Sequence, residues 1–204
     1  MITRKTRIRE VSEWTNIFWN QATTENKPRL LLVGDSIVVG HSGQVHERLK
    51  ERFCVDHFAT AKCVSDELYM TELNYVLGLN HYAIVVFNNG LHGFDISEDI
   101  YAENLLDALG HLKKRAARLV WRNSTPMRVA NDLSKRDPER TPRILERNRL
   151  ASAFAAELGV PELDLHSPMD ARPDLFSPDG VHYTQDGQKL QAELIVDFID
   201  GKLA

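Results

Sequence analysis

Residues 30–40 read LLLVGDSIVVG: four apolar residues, then Gly34-Asp35-Ser36, then three apolar residues and a second glycine. A short apolar run that stops on small polar residues, ahead of a longer segment with helical spacing, reads as a buried strand passing into a helix. The pattern recurs along the chain. Apolar runs stand at 30–33 (LLLV), 54–58 (CVDHF), 83–87 (AIVVF), 118–122 (RLVWR) and 160–165 (VPELDL). Helical spacing follows them over 39–52, 66–77, 97–117, 139–158 and 184–199. Ser97 ahead of Asp99 and Ile100 reads as a helix start, and Gly159 after AAEL as a helix stop. The runs lack clean period-two alternation, which suits strands covered on both faces. Five strand–helix alternations predict a three-layer α/β/α fold around a five-stranded parallel sheet.

The remaining segments are read from composition and spacing. Residues 1–28 precede the first core strand. Their Val11, Trp14, Ile17 and Phe18 predict an amphipathic helix, a helical extension packed on a single domain of residues 29–204. Residues 126–143 are polar and bounded by prolines, which predicts a long surface loop. A length of 204 residues favours one compact domain. The net charge of −4 leaves no basic excess to neutralise phosphates, so no nucleic-acid partner is expected. Two cysteines, Cys54 and Cys63, make no disulfide framework and point to a reducing compartment. The N-terminal MITRKTRIREVSEW carries charge with no apolar stretch behind it, so it does not read as a secretory signal. No window reaches the ~18–20 apolar residues of a membrane span. The expectation is a cytoplasmic protein with no membrane partner; a chain whose leader had been removed would read the same.

In open α/β sheets ligands sit outside the carboxyl ends of the strands, so the strand-to-helix junctions are where function is sought. The first junction is Gly34-Asp35-Ser36. The third is Asn88-Asn89-Gly90-Leu91-His92, directly after AIVVF. Before the last helix comes Ser177-Pro178-Asp179-Gly180-Val181-His182-Tyr183. A hydroxyl becomes a nucleophile when a neighbouring base, usually His, takes its proton and a third group orients that base. Asp179 and His182 supply both roles from one loop, in the chain order Ser, Asp, His.

At these residues the chain resembles the SGNH (GDSL-type) hydrolases. Gly34-Asp35-Ser36 matches the family's first block, and Asp179-Gly180-Val181-His182 its last, within the similar stretch DGVHYTQDGQKLQAELI. The resemblance covers roughly residues 28–200. It implies a flavodoxin-like fold and ester hydrolysis without a cofactor, with Ser36 as nucleophile, His182 as general base and Asp179 as its orienting partner. It also implies an oxyanion hole built from the Ser36 N–H, a second-block backbone N–H and a third-block asparagine. Two blocks depart from the family pattern. The second-block glycine falls at Ser65, and the third block reads Asn-Asn-Gly-Leu-His, which leaves Asn89 as the expected donor and Asn88 as the alternative. Asp35, Cys63, Gly90, His92 and Thr125 are candidate pocket residues; His92 reads equally as a satisfied structural histidine. His41 and His46 read as surface or helix-packing groups.

The expected substrate is a small acyl ester, acetyl first, on an alcohol such as a sugar hydroxyl. The alternatives are a lipase or thioesterase acting on longer chains, or a binding module that keeps the fold without turnover. Gly-Asp-Ser also suits a phosphate-binding turn, but no Gly-x-x-x-x-Gly-Lys or Gly-x-Gly-x-x-Gly follows a strand. Eight histidines raise a metal reading, yet no His or Cys pair shows ligand spacing, so no metal is expected.

Overall fold

The computed structural model describes residues 5–7 and 9–203. The strands are β1 (Thr15–Phe18), β2 (Arg29–Gly34), β3 (Cys54–Thr60), β4 (Tyr82–Phe87), β5 (Arg118–Arg122), β6 (Arg128–Val129), β7 (Asp132–Arg136) and β8 (Glu162–Leu163). The helices are α1 (Ser36–Leu49), α2 (Tyr69–Leu79), α3 (Glu98–Arg115), α4 (Arg140–Leu158), α5 (His166–Asp170) and α6 (Gln185–Lys202), with a 3₁₀ turn at Pro173–Leu175. The main sheet runs in the order β1-β3-β2-β4-β5-β8. The four pairings that join its five strands from β3 to β8 are parallel, as expected, and β1 adds an antiparallel strand outside β3.

The strands are buried on both faces because successive side chains point to opposite sides of a sheet. In β2, Leu31 and Val33 join Phe58, Phe87 and Trp121 under α2, α3 and α4. Leu30 and Leu32 join Val55, Val86 and Val120 under α1 and α6, against Val45, Leu49, Ile195 and Ile199. These two cores are the interfaces of a three-layer α/β/α sandwich. His41, expected as a surface or helix-packing group, is fully buried, and its Nδ1 lies 3.0 Å from Gln191 Oε1 of α6. Burial, then the charge of Arg122, hold His41 down at about 3, so it joins α1 to α6 as a neutral ring.

Two segments differ from the expectation. The N-terminal segment forms no helix over Val11–Phe18. Thr15–Phe18 is extended and pairs with Thr60–His57, because β3 offers an unpaired row of backbone groups that outweighs the segment's own weak helical spacing. Met1–Arg4 and Ile8 lie outside the described residues. The stretch 126–143 holds the β6–β7 hairpin and the first turn of α4, and Pro126, Met127 and Arg128 are buried. Its polar composition concealed a piece that packs beneath the loop before α6. No helix among the described residues is long and apolar enough to cross a membrane.

Chain order sets the site. From β2 the chain moves to β3 on one side and then to β4 on the other, so the crevice opens at the carboxyl ends of β2 and β4.

Candidate active site

Asp35 ends β2 and caps α1, its Oδ1 accepting from the Ile37 N–H at 2.9 Å. Ser36 is therefore the first residue of α1. Its backbone N–H belongs to the first helical turn, where donors have no intrahelical acceptor and the dipole favours negative charge. Gly34 is required here: a Cβ would come within 2.6 Å of Val38 Cγ2 and 3.2 Å of an Arg122 guanidinium nitrogen. Arg122 is fully buried below this turn, and burial pushes its pKa down to about 10 against the opposing charge of Asp35.

The loop before α6 brings the other two groups. Asp179 Oδ1 accepts from the N–H groups of Val181 and His182, both at 2.9 Å, while Oδ2 lies 2.7 Å from His182 Nδ1. Nε2 of the same ring lies 2.8 Å from Ser36 Oγ. Partial burial works against ionising Asp179, but the ring and the two backbone N–H groups outweigh it and hold the carboxyl below its usual value. The anchored Asp179 fixes the His182 tautomer, leaving Nε2 to accept the serine proton. Ser36, His182 and Asp179 are thus brought together in the order anticipated from sequence.

The turn depends on Gly180. Its φ is +74°, and a Cβ there would lie 2.2 Å from the Arg128 carbonyl oxygen, whose own N–H donates to Gly180 O at 2.7 Å. The β6–β7 hairpin therefore presses its backbone directly onto the Asp-Gly turn. Gly180→Ala is expected to lower kcat/KM about 10-fold or more and to cost at least the ~1–2 kcal/mol of a left-handed non-glycine residue. Activity and melting measured together check this; wild-type values for both would show that the turn yields freely.

In front of Ser36 lies a cavity of about 330 Å³, lined by Glu10, Trp14, Ser36, Leu91, His92, Met127, Arg140, Val181 and His182. Of the candidate pocket residues, only His92 is among these. Asp35 is spent as the cap, Cys63 is buried against Gly93, Gly90 packs on Ser124, and Thr125 is fully buried. The expected oxyanion donors Ser65 and Asn89 also fall outside the lining. Ser65 is 0% exposed and Asn89 2%. The Asn89 amide is engaged at both ends, accepting from Val64 N–H at 3.1 Å and donating to Lys62 O at 2.9 Å. Asn88 Nδ2 donates to Arg122 O at 2.8 Å and Ser124 Oγ at 3.0 Å. Asn88 Nδ2 therefore spends both of its hydrogens on bracing, whereas Asn89 Nδ2 has a second hydrogen beyond the one it gives Lys62 O.

Sequence reading missed Glu10 and Trp14 from the N-terminal segment, Met127, and Arg140. It also missed Arg147, a fully buried side chain of α4. Arg147 donates to the carbonyls of Gly90 (3.1 Å), His92 (2.6 Å) and Gly93 (2.8 Å) and to Glu98 Oε2 (2.8 Å). It thereby clamps the loop that carries His92. Among the described residues no group of His, Cys, Asp and Glu is arranged to hold a metal ion.

A hydroxyl, an imidazole and a carboxylate stand in hydrogen-bonded sequence at the mouth of a parallel sheet, an arrangement able to activate a hydroxyl for attack on an ester. Residues 81–195, more than half of the chain, match the profile of the GDSL-like lipase/acylhydrolase family, and the protein belongs to that family of carboxylic ester hydrolases. No curated protein matches the sequence. Solved structures agree in fold. The acetyl xylan esterase AlAXEase superposes with a TM-score of 0.68 at 17% identity, over 84% of this chain and 99% of its own. Axe2, an acetylxylan esterase from Geobacillus stearothermophilus, gives 0.67 at 15% identity, over 84% and 94%. The lipase/acylhydrolase from Enterococcus faecalis gives 0.66 at 20% identity, over 85% and 96%.

Proposed function

We infer that the protein removes a small acyl group, acetyl first, from a polar alcohol through an acyl-enzyme on Ser36. The observation that carries this reading is the continuous hydrogen-bonded line Asp179–His182–Ser36, 2.7 and 2.8 Å, opening onto a cavity. Ser36 Oγ attacks the carbonyl carbon while His182 Nε2 takes its proton. The oxyanion forms beside the Ser36 N–H at the start of α1. Collapse of the tetrahedral species expels the alkoxide, which receives the proton from His182, and water repeats the sequence to release the acid.

The size of the space supports a short acyl group. About 330 Å³ must hold the acyl chain and the reacting centre, and Leu91, Met127 and Val181 give it apolar walls. A second cavity of about 480 Å³ shares Glu10, Trp14 and Arg140 with the first and is otherwise lined by Arg9, Val11, Ser12, Phe94 and Asp95. Two aromatic side chains, Trp14 and Phe94, among charged and hydroxyl groups suit a polyhydroxylated alcohol such as a sugar. Two structural neighbours, AlAXEase and Axe2, are acetylxylan esterases, which lies in the same direction.

Hydrolysis of p-nitrophenyl acetate, butyrate and octanoate tests the reading. Acetate is expected to lead octanoate in kcat/KM by about 10-fold or more, since each methylene beyond the pocket is worth ~1–3 kcal/mol of discrimination. A fluorophosphonate is expected to label Ser36. A preference for octanoate would favour a lipase, and a protein that neither turns over nor labels would be a binding module.

A further inference from the structure

Glu10, Trp14 and Arg140 line both the cavity of Ser36 and the larger one beside it, so the two spaces adjoin at these three side chains. Glu10 and Trp14 belong to the N-terminal segment, which is fastened to the chain after β3. The Thr6 N–H donates to Ser65 O at 2.9 Å and the Ala61 N–H to Trp14 O at 3.1 Å, while Lys62 pairs with Glu13 at 3.4 Å. Most of the charge around the cavities is engaged. Arg9 forms an ion pair with Asp66, and Glu10 accepts from the Gly93 N–H at 3.2 Å. Three arginines of α4 stand over the Phe94 ring, with Cζ 4.6 Å (Arg140), 5.6 Å (Arg143) and 4.8 Å (Arg147) from its centroid. Arg143 and Arg147 give their guanidinium hydrogens to Glu98 and to carbonyls of the Gly90–Ile96 loop. Arg140 differs. Beyond its stacking on Phe94, its guanidinium makes no hydrogen bond or ion pair among the described residues; Glu10 senses its charge without contact.

We propose that the outer cavity receives the alcohol half of the ester, and that Arg140 selects an alcohol carrying an anionic group, a carboxylate or a phosphate. The inference rests on the acyl-enzyme reading. Leu91, Met127 and Val181 give the cavity of Ser36 its apolar walls and suit the acyl chain, so the alcohol extends past Glu10, Trp14 and Arg140. A guanidinium held over an aromatic ring is restrained before any ligand arrives, and its planar fork matches the two oxygens of a carboxylate or phosphate. Because Arg140 lines both cavities, an anion bound there stands beside the ester rather than at the far end of the alcohol. Asp95 opens onto the outer cavity alone, where its carboxylate can accept from hydroxyl groups. Trp14, at the junction, supplies ring surface for the apolar face of a sugar. An acylated sugar acid or sugar phosphate uses all three groups, whereas a neutral sugar leaves the Arg140 charge unanswered. The N-terminal segment, which lies outside residues 81–195 of the family profile, thus shapes which alcohol is accepted.

Acetate release from the monoacetyl esters of glucose, glucuronic acid and glucose 6-phosphate tests this, with wild type, Arg140→Gln, Arg140→Lys and Ser36→Ala, each checked by melting. Wild type is expected to favour an acidic ester over the neutral one by about 10-fold or more in kcat/KM, the range of a hydrogen bond to a charged group. The better of the two acidic esters identifies the anion. Arg140→Gln should erase that preference, chiefly by raising KM for the acidic ester, and Arg140→Lys should restore part of it, since it keeps the charge without the fork. Equal rates, or none, on the neutral and acidic esters would overturn the proposal, as would a preference that Arg140→Gln retains. Serine-dependent hydrolysis of p-nitrophenyl acetate in the same preparation would then leave the acyl-enzyme reading intact. Turnover that survives Ser36→Ala would overturn both. If Arg140→Gln does not fold, competition in wild type decides the matter. Glucuronate or glucose 6-phosphate should inhibit hydrolysis of p-nitrophenyl acetate about 10-fold more strongly than glucose, and equal inhibition by all three would exclude an anion site.

Discussion

Ser36→Ala is expected to reduce kcat on p-nitrophenyl acetate by about 10⁶-fold, the full loss seen when a triad nucleophile is removed. That factor corresponds to ~8 kcal/mol of transition-state stabilisation. No neighbouring group is placed to substitute. His182 Nε2, relieved of its 2.8 Å partner, can still activate a water, and the helix N-terminus still favours an oxyanion, so a small residue of catalysis persists. The fold should not notice the change. The one side-chain bond removed joins Ser36 to an exposed ring, so the melting temperature should stay within about 2 °C of wild type. Rate and melting measured on the same preparation separate the two effects. A variant that keeps even a hundredth of the wild-type rate would move the nucleophile away from Ser36.

The second large effect falls on stability. Arg147→Met keeps the length and apolar stem of the side chain and deletes five donors. Three carbonyls, of Gly90, His92 and Gly93, lose the bonds they accept from Arg147, and Glu98 loses one of its two arginine partners among the described residues. The guanidinium also lies over the rings of Phe94 and Tyr101, at 4.8 and 4.3 Å from their centroids. Breaking a buried ionic network by removing one partner costs about 3–5 kcal/mol. For a chain of this size that is a fall of roughly 6–20 °C in melting temperature. Because the freed carbonyls belong to the loop that bears His92, kcat should fall as well. Arg147→Lys retains the charge without the planar fork and should lie between. Melting within about 2 °C of wild type would show that the loop holds itself.

Most of the frame is legible in the sequence because it is written locally. The run RLVWR coincides with β5, and the other core strands and the five main helices fall within a few residues of their expected spans, since each carries its own apolar period and turn residues. The three polar groups at the site are legible for a related reason. Ser36 and the Asp179–His182 pair stand at strand-to-helix junctions, and topology then carries them together. What escaped depends on partners distant in the chain. Thr15–Phe18 becomes a strand only because β3 is there to pair with it. Nothing beside Asn89 in sequence shows that the Lys62–Val64 backbone engages both its Oδ1 and its Nδ2. Arg147 sits in a helix where arginine ordinarily faces water, and nothing beside it in sequence announces three carbonyls waiting on another loop. Glu10 is one acidic residue in a charged segment, and only the folded chain sets it beside His92.

The antiparallel strand β1 has a consequence for the solution life of the molecule. Cys54–Thr60 of β3 is seven residues long and wholly buried, and β1 covers its outer row of N–H and C=O groups. Stripped of that cover, β3 would offer other chains a long open row of backbone groups for strand pairing, the usual seed of aggregation. Trimming the first 18 residues to obtain a minimal catalytic core should therefore yield a protein that self-associates. The segment that reaches over the active site also keeps the enzyme from sticking to itself.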